Sequence, residues 1–328
     1  MEQAVNALRT EWNRPFLIKY SGYAVFILVA VYFSFRSPSF LTAGNWINIL
    51  VQSSVLGVVS CGMTAILIGG GNHVIKGGID LSLANNLALN AAISAVMIGK
   101  GYPVWAALGA ALLSSAAIGF VNALAVAVLK IIPLLATLSM MYLLQGVQLL
   151  LTENKVVSVS HPLLSSIAND SFLLLPIPLW FFIAVGLLMH LLFNHTVFGN
   201  WVYAVGGNRQ AAEAAGVRVR LTLGATYVIA ALTAAIAGLL AAARLSGSVP
   251  GIGDAMLLDV LLAGLMSAIF SRHAVPNMFG TVLSSLFVGM LSNGFTLINV
   301  PTYWVYAVKG SMILAAVAVT TTQQRSAV

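Results

Sequence analysis

Charge is what this sequence has least of. Only 7% of its 328 residues are charged and 60% are hydrophobic, whereas soluble domains carry about 25% charged residues. A chain so poor in charge cannot cover itself with polar surface in water, so an integral membrane protein is expected. Cysteine is nearly absent too. Cys61 stands alone in an apolar run, which excludes an intramolecular disulfide and a cysteine metal cluster. His73, His161, His190, His195 and His273 are scattered without metal-ligand spacing, and His190 and His195 have poor geometry for sharing one helix face. No serine–histidine–acid or cysteine–histidine arrangement is readable. No phosphate-cradling GxxxxGK[ST] occurs either. The chain is therefore expected to be no enzyme and to hold no ATP, metal or other cofactor of its own. Its net charge of +7 is not read as nucleic-acid binding, because basic residues flanking membrane spans set orientation.

What is present is a series of apolar runs. Ten fit the chain, at about 20–35, 46–70, 81–99, 104–129, 134–151, 177–193, 221–243, 255–270, 277–297 and 303–320, each near the ~20 residues a span needs. The expected fold is all-α with about ten transmembrane helices. Residues 1–19 make a polar leader, 20–320 the membrane domain and 321–328 a short tail. The leader carries Glu2 and Glu11, and the apolar run beyond Lys19 lacks a small-residue cleavage site, so it does not fit a cleavable signal peptide. Ten spans put both termini on one side. That side holds Arg9, Arg14, Lys19, Lys76, Lys130, Arg209, Arg218, Arg220, Arg272 and Arg325; the other holds Arg36, Lys100, Lys155 and Arg244. The excess makes the termini cytoplasmic.

One polar segment on that side has the pattern of a folded device, Gly199–Arg220. Gly206 and Gly207 are expected to allow a tight turn. Asn208 is a good N-cap for a helix over 209–215, and Gly216 sits where a left-handed C-cap is wanted. Ala211, Ala212, Ala214 and Ala215 would let another surface come close. Spacing alone favours an ordinary capped loop over a docking element.

Elsewhere the chain repeats itself weakly. Gly78-Ile79-Asp80-Leu81-Ser82 opens the third span, and Gly253-Asp254 followed by Leu258-Asp259 opens the eighth. Val121-Asn122-Ala123 in the fourth is answered by Ser292-Asn293-Gly294 in the ninth. The third and eighth spans begin on opposite faces, as an inverted repeat of spans 2–5 and 7–10 requires. Asp80 is expected to cap the third span and order its loop more than to touch solute. Asp259 is given the equivalent role. Asn122 and Asn293 are expected to pack between helices. Lys309 lies well inside the last span and must pair, snorkel or face water.

Three segments together resemble a known family. GGIDLSLANNLAL (77–89), GFVNALAVAVLKIIPLLATLSMMYLLQGVQL (119–149) and AVGGNRQAAEAAGV (204–217) are similar to motifs of the permease subunits of bacterial ABC importers of the ribose and xylose type. The resemblance runs from about residue 45 to the C-terminus. It implies a type II-like ABC permease in the bacterial inner membrane, moving a small polar solute such as a monosaccharide. A separate cytoplasmic ATPase would bind the ATP, a periplasmic or surface-tethered binding protein would deliver solute, and a second permease copy would complete the path. It also reverses the reading of the polar loop. Gly207, Asn208, Ala211, Ala212, Glu213 and Gly216 become the helix that couples to the ATPase, while Gly78, Asp80, Ser82, Asn122, Asp259 and Asn293 are signature or structural positions. The chain departs from the family pattern at 262–280, where Arg272, His273 and Pro276 replace most glycines, and at Leu83-Ala84-Asn85 and Leu138-Ser139-Met140. The alternative is a secondary transporter driven by an ion gradient, which would want a titratable cluster at mid-membrane.

Overall fold

The computed structural model describes residues 22–71, 78–271 and 275–325. The expected leader, His73, Lys76, Gly77, Arg272 and His273 lie outside them. Among the described residues the regular structure is helical apart from four two-residue strands. The helices in chain order are α1 (Gly22–Arg36), α2 (Ala43–Gly70), α3 (Ser82–Gly99), α4 (Val104–Ala123), α5 (Pro133–Thr152), α6 (Pro162–Asn169), α7 (Ile177–Asn194), α8 (Val197–Gly207), α9 (Arg209–Ala214), α10 (Val219–Arg244), α11 (Ile252–Met266), α12 (Met278–Leu297) and α13 (Thr302–Arg325). A π-helical turn, Leu124–Val128, ends α4. Each expected span has its helix. Seven of them, α2, α3, α4, α5, α7, α10 and α12, are long and apolar enough to cross a membrane. α11 has only 15 residues, and α1 and the apolar part of α13, Thr302–Ala318, are also short. α13 continues as helix to Arg325, beyond the expected end of the last span.

The core is built on α2 and α10. In a bilayer every backbone group must be satisfied within the span, and helices associate closely where side chains are small. α10 supplies such a surface: Ala230, Ala231, Ala234, Ala235, Ala237, Gly238, Ala241 and Ala242 are all buried. A Cβ on Gly62 of α2 would meet the Ala230 backbone, and one on Gly238 would meet the Leu87 carbonyl of α3. The packing follows the expected repeat. α2 packs on α10, α11 and α12, while α10 packs on α2, α3 and α4. α3 lies against α4 and α5 as α11 lies against α12 and α13. α1 is added outside this frame, where Phe33 stacks edge-on against Phe295 and fits over Gly294.

Polar contacts lock particular helix pairs. Asn90 of α3 donates to Ser115 of α4 at 2.8 Å, and Ser114 donates back to Asn90 at 2.8 Å. The 153–176 connection holds α6 and three short strands, one of which pairs with a fourth outside it. β1 (Val157–Ser158) pairs antiparallel with β4 (Gly247–Ser248), and β2 (Ser171–Phe172) with β3 (Leu175–Pro176). This cap tucks Val159 and Leu164 over Ala95, Ile98, Leu239 and Ala243 at the ends of α3 and α10.

Candidate functional site

The 199–220 segment is two helices rather than a turn and one helix. Thr196 caps α8 by accepting from the Gly199 N–H at 3.2 Å. Gly206 and Gly207 then continue the helix instead of forming the expected tight turn. The reason is packing: Gly206 lies on the end of α2, where a Cβ would run into the Ile68 carbonyl. Tyr203 of α8 reaches the Pro276 carbonyl at 3.5 Å, and burial pushes its hydroxyl up to about 12.

Asn208 breaks the chain between the helices. Its Oδ1 accepts from the Ala211 N–H at 3.0 Å, the expected N-cap of α9. At the other end Gly216 adopts φ +85°. Its N–H donates to the Glu213 carbonyl and that of Val217 to the Ala212 carbonyl, both at 3.0 Å. This pair of bonds is a Schellman motif, so both ends of a six-residue helix are closed. Ala212 turns inward and is buried with Val205, Val219, Leu223 and Ala127. Arg209, Gln210, Ala211, Glu213, Ala214 and Ala215 remain exposed, as do Gly207 and Gly216. The outward face therefore presents Ala211, Ala214 and Ala215 among the longer Arg209, Gln210 and Glu213, and Ala212 belongs to the seat beneath it rather than to that face.

Beside α9 opens a cavity of about 390 Å³. Arg209 and Glu213 line it from α9, Arg220 and Tyr227 from α10, and Lys130 and Pro133 from the turn between α4 and α5. Lys130 holds φ +58° there, two residues after the π-helical turn. α9 thus adjoins, through one charged cavity, the ends of three membrane helices.

Inside the helix bundle, Asp80 is buried to 1% exposure. Its Oδ1 accepts from the Ser82 N–H at 2.8 Å and the Ser82 hydroxyl at 2.5 Å, and its Oδ2 accepts from Asn122 Nδ2 at 3.2 Å. Asn122 also donates to Ser82 Oγ at 2.9 Å. Thr137 of α5 accepts from the Leu81 N–H at 3.2 Å, and Gly78 supplies φ +147°. Asp80 therefore satisfies the entry to α3 and pins it to α4. Asp259 does something different. It sits in the middle of α11 rather than at its start, and forms an ion pair with Lys309 of α13 at 2.6 Å. The carboxylate in the first turn of α11 is Asp254. Asn293 is buried in α12 with an unpaired Oδ1.

A third polar group was not singled out from sequence. Asp254 Oδ1 accepts from Asn85 Nδ2 of α3 at 3.2 Å, and its Oδ2 from Gln145 Nε2 of α5 at 2.5 Å. Asn85 was visible only as a departure from the family motif, and Gln145 only as one residue of the 119–149 segment.

Residues 45–317 match the family described as the permease component of the branched-chain amino acid transport system. The chain belongs to this permease family. The permease is 33% identical over 305 residues to the ribose import permease RbsC of Escherichia coli (strain K12), covering 92% of each chain. It is 28% identical over 306 residues to RbsC of Haemophilus influenzae, covering 92% of this permease and 93% of that one. With the L-arabinose transport system permease AraH of Escherichia coli (strain K12) it shares 29% identity over 299 residues, 91% of this permease and 89% of that one. No solved structure matches it. It is a multi-pass, all-α membrane permease.

Proposed function

We propose that this permease is the membrane-spanning subunit of an ATP-binding-cassette importer for a monosaccharide or sugar-like solute in the bacterial inner membrane. A cytoplasmic ATPase docks on α9, a binding protein delivers solute on the opposite face, and a second permease copy completes the path. Both termini are cytoplasmic, as the excess of Lys and Arg on that side implies. Kinship to ribose and L-arabinose permeases supports the substrate class.

The observation that carries the reading is the doubly capped helix α9, which presents Ala211 and Ala214 outward between Arg209, Gln210 and Glu213. A helix so short is marginal alone in water, yet here both ends are satisfied and Ala212 is seated. Such a helix moves as a unit. Because Ala212 packs with Val219 and Leu223 of α10 and Ala127 at the end of α4, displacement of α9 shifts the ends of those membrane helices. ATP drives transport only if the ATPase contacts differ between the inward- and outward-open states.

The test is Ala211→Trp, which places bulk on the docking face without touching the seat. Uptake and ATPase co-purification should fall to background while membrane insertion is unchanged. Normal ATP-driven uptake by this variant would remove α9 from the coupling role. Persistence of uptake without ATP, with collapse on loss of an ion gradient, would favour a secondary transporter.

A further inference from the structure

Three carboxylates stand within the helix bundle, and the bundle treats each differently. Asp80 is buried and fully bonded. Asp259 is neutralised by Lys309. Asp254 is exposed, and among the described residues no lysine or arginine lies within ion-pair distance of it. It is nevertheless deep. Its partner Gln145 lies about 18 Å from the Pro133 end of α5 and about 10 Å from the Thr152 end, at ~1.5 Å per residue. Its other partner, Asn85, is in the first turn of α3. α11 therefore starts well within the membrane, and Gly253 makes this possible because a Cβ there would collide with Asn85.

A charged group at such depth does not face lipid. It faces the bundle interior or water, and marks a pathway. From this juxtaposition we propose that Asp254, Gln145 and Asn85 form a hydrogen-bonding station for the hydroxyl groups of a neutral polyhydroxylated solute crossing the membrane. The inference rests on the permease reading above and names a site within it. The chemistry fits a diol. Each carboxylate oxygen already accepts from one amide and keeps a second acceptor position, so adjacent hydroxyls can donate to the two oxygens together. Gln145, half-buried, keeps its carbonyl and one N–H for further hydroxyl or ring-oxygen contacts. The uncompensated negative charge disfavours anionic sugars such as sugar phosphates. Asn85, itself buried, holds the carboxylate in place and is a positioning residue.

The whole transporter, with ATPase and binding protein, is reconstituted in proteoliposomes. Asp254→Cys is treated with a membrane-impermeant maleimide; wild type, whose one cysteine is buried, and Leu113→Cys, on an exposed apolar face of α4, are the controls. Position 254 should be labelled and both controls spared. In parallel, uptake of neutral pentoses and hexoses is compared with that of their phosphates. For the sugar that wild type transports best, Gln145→Ala and Asp254→Asn should each lower uptake about tenfold. Asp254→Asn should also narrow the discrimination against phosphorylated sugars, which a merely structural role would leave unchanged. ATPase co-purification and basal hydrolysis should stay as in wild type. An unlabelled position 254, or uptake and selectivity matching wild type, would overturn the station. Failure of wild type to bind an ATPase or to move any neutral sugar would instead overturn the permease reading on which it rests.

Discussion

Lys309 and Asp259 show what a single pair of residues must do in this protein. Each side chain is mostly buried, at 7% and 19% exposure, and they meet at 2.6 Å. Removing one partner leaves an uncompensated buried charge, which costs about 3–5 kcal/mol, whereas apolar replacement of both is often neutral. Lys309→Met should therefore lower the melting temperature of the detergent-solubilised protein sharply, and adding Asp259→Leu should recover most of the loss. Lys309 declared its need for a partner in the sequence, because a cation inside a span has few options. Which carboxylate would meet it was not legible, since Asp259 looked like the mate of Asp80 and only the packing of α11 on α13 separates their roles. Asp80 was readable as a loop-ordering carboxylate, although the N-cap position of α3 falls on Leu81 and Asp80 bonds Ser82 and Asn122 instead. The Asp254 group was not, because it joins three helices distant in sequence and no local motif announces it.

At the scale of the element, caps proved legible and glycines less so. Asn208 and Gly216 close α9 as local backbone chemistry requires. Asn208→Ala should weaken that helix by about 1 kcal/mol. Hydrogen exchange would then show amides of residues 211–217 opening roughly fivefold faster, since 1.4 kcal/mol corresponds to about tenfold. Gly206 and Gly207 looked like a turn because two adjacent glycines permit one. The helix continues through them because α2 needs a side-chain-free surface at Gly206, a demand made by a segment more than a hundred residues away. Their substitutions should therefore diverge. Gly206→Ala forces the α2–α8 contact apart at a cost of about 1–3 kcal/mol. Gly207→Ala meets open space and, within a helix, should be neutral or stabilise by up to about 1 kcal/mol. Thermal denaturation of the two variants in the same detergent checks the contrast.

For the whole molecule, apolar runs of ~20 residues placed every large helix, because lipid leaves a chain few alternatives. The same scarcity of polar residues that revealed the spans hid how they pack, since nearly every face is apolar. The small residues of α10 and the repeat stood in the sequence, but which faces they join and the strand-and-helix cap over 153–176 emerge only in three dimensions. Together they give a frame in which α2 and α10 are packed against each other and α9 sits at the end of α10. On the function proposed above, α9 is where ATP hydrolysis by another subunit becomes movement in this one. The most direct test is ATP-dependent sugar accumulation in proteoliposomes containing the permease, its ATPase and its binding protein, wild type against Ala211→Trp. Accumulation is expected with wild type only, with the variant inserted normally but unable to retain the ATPase. Equal accumulation by both would contradict it.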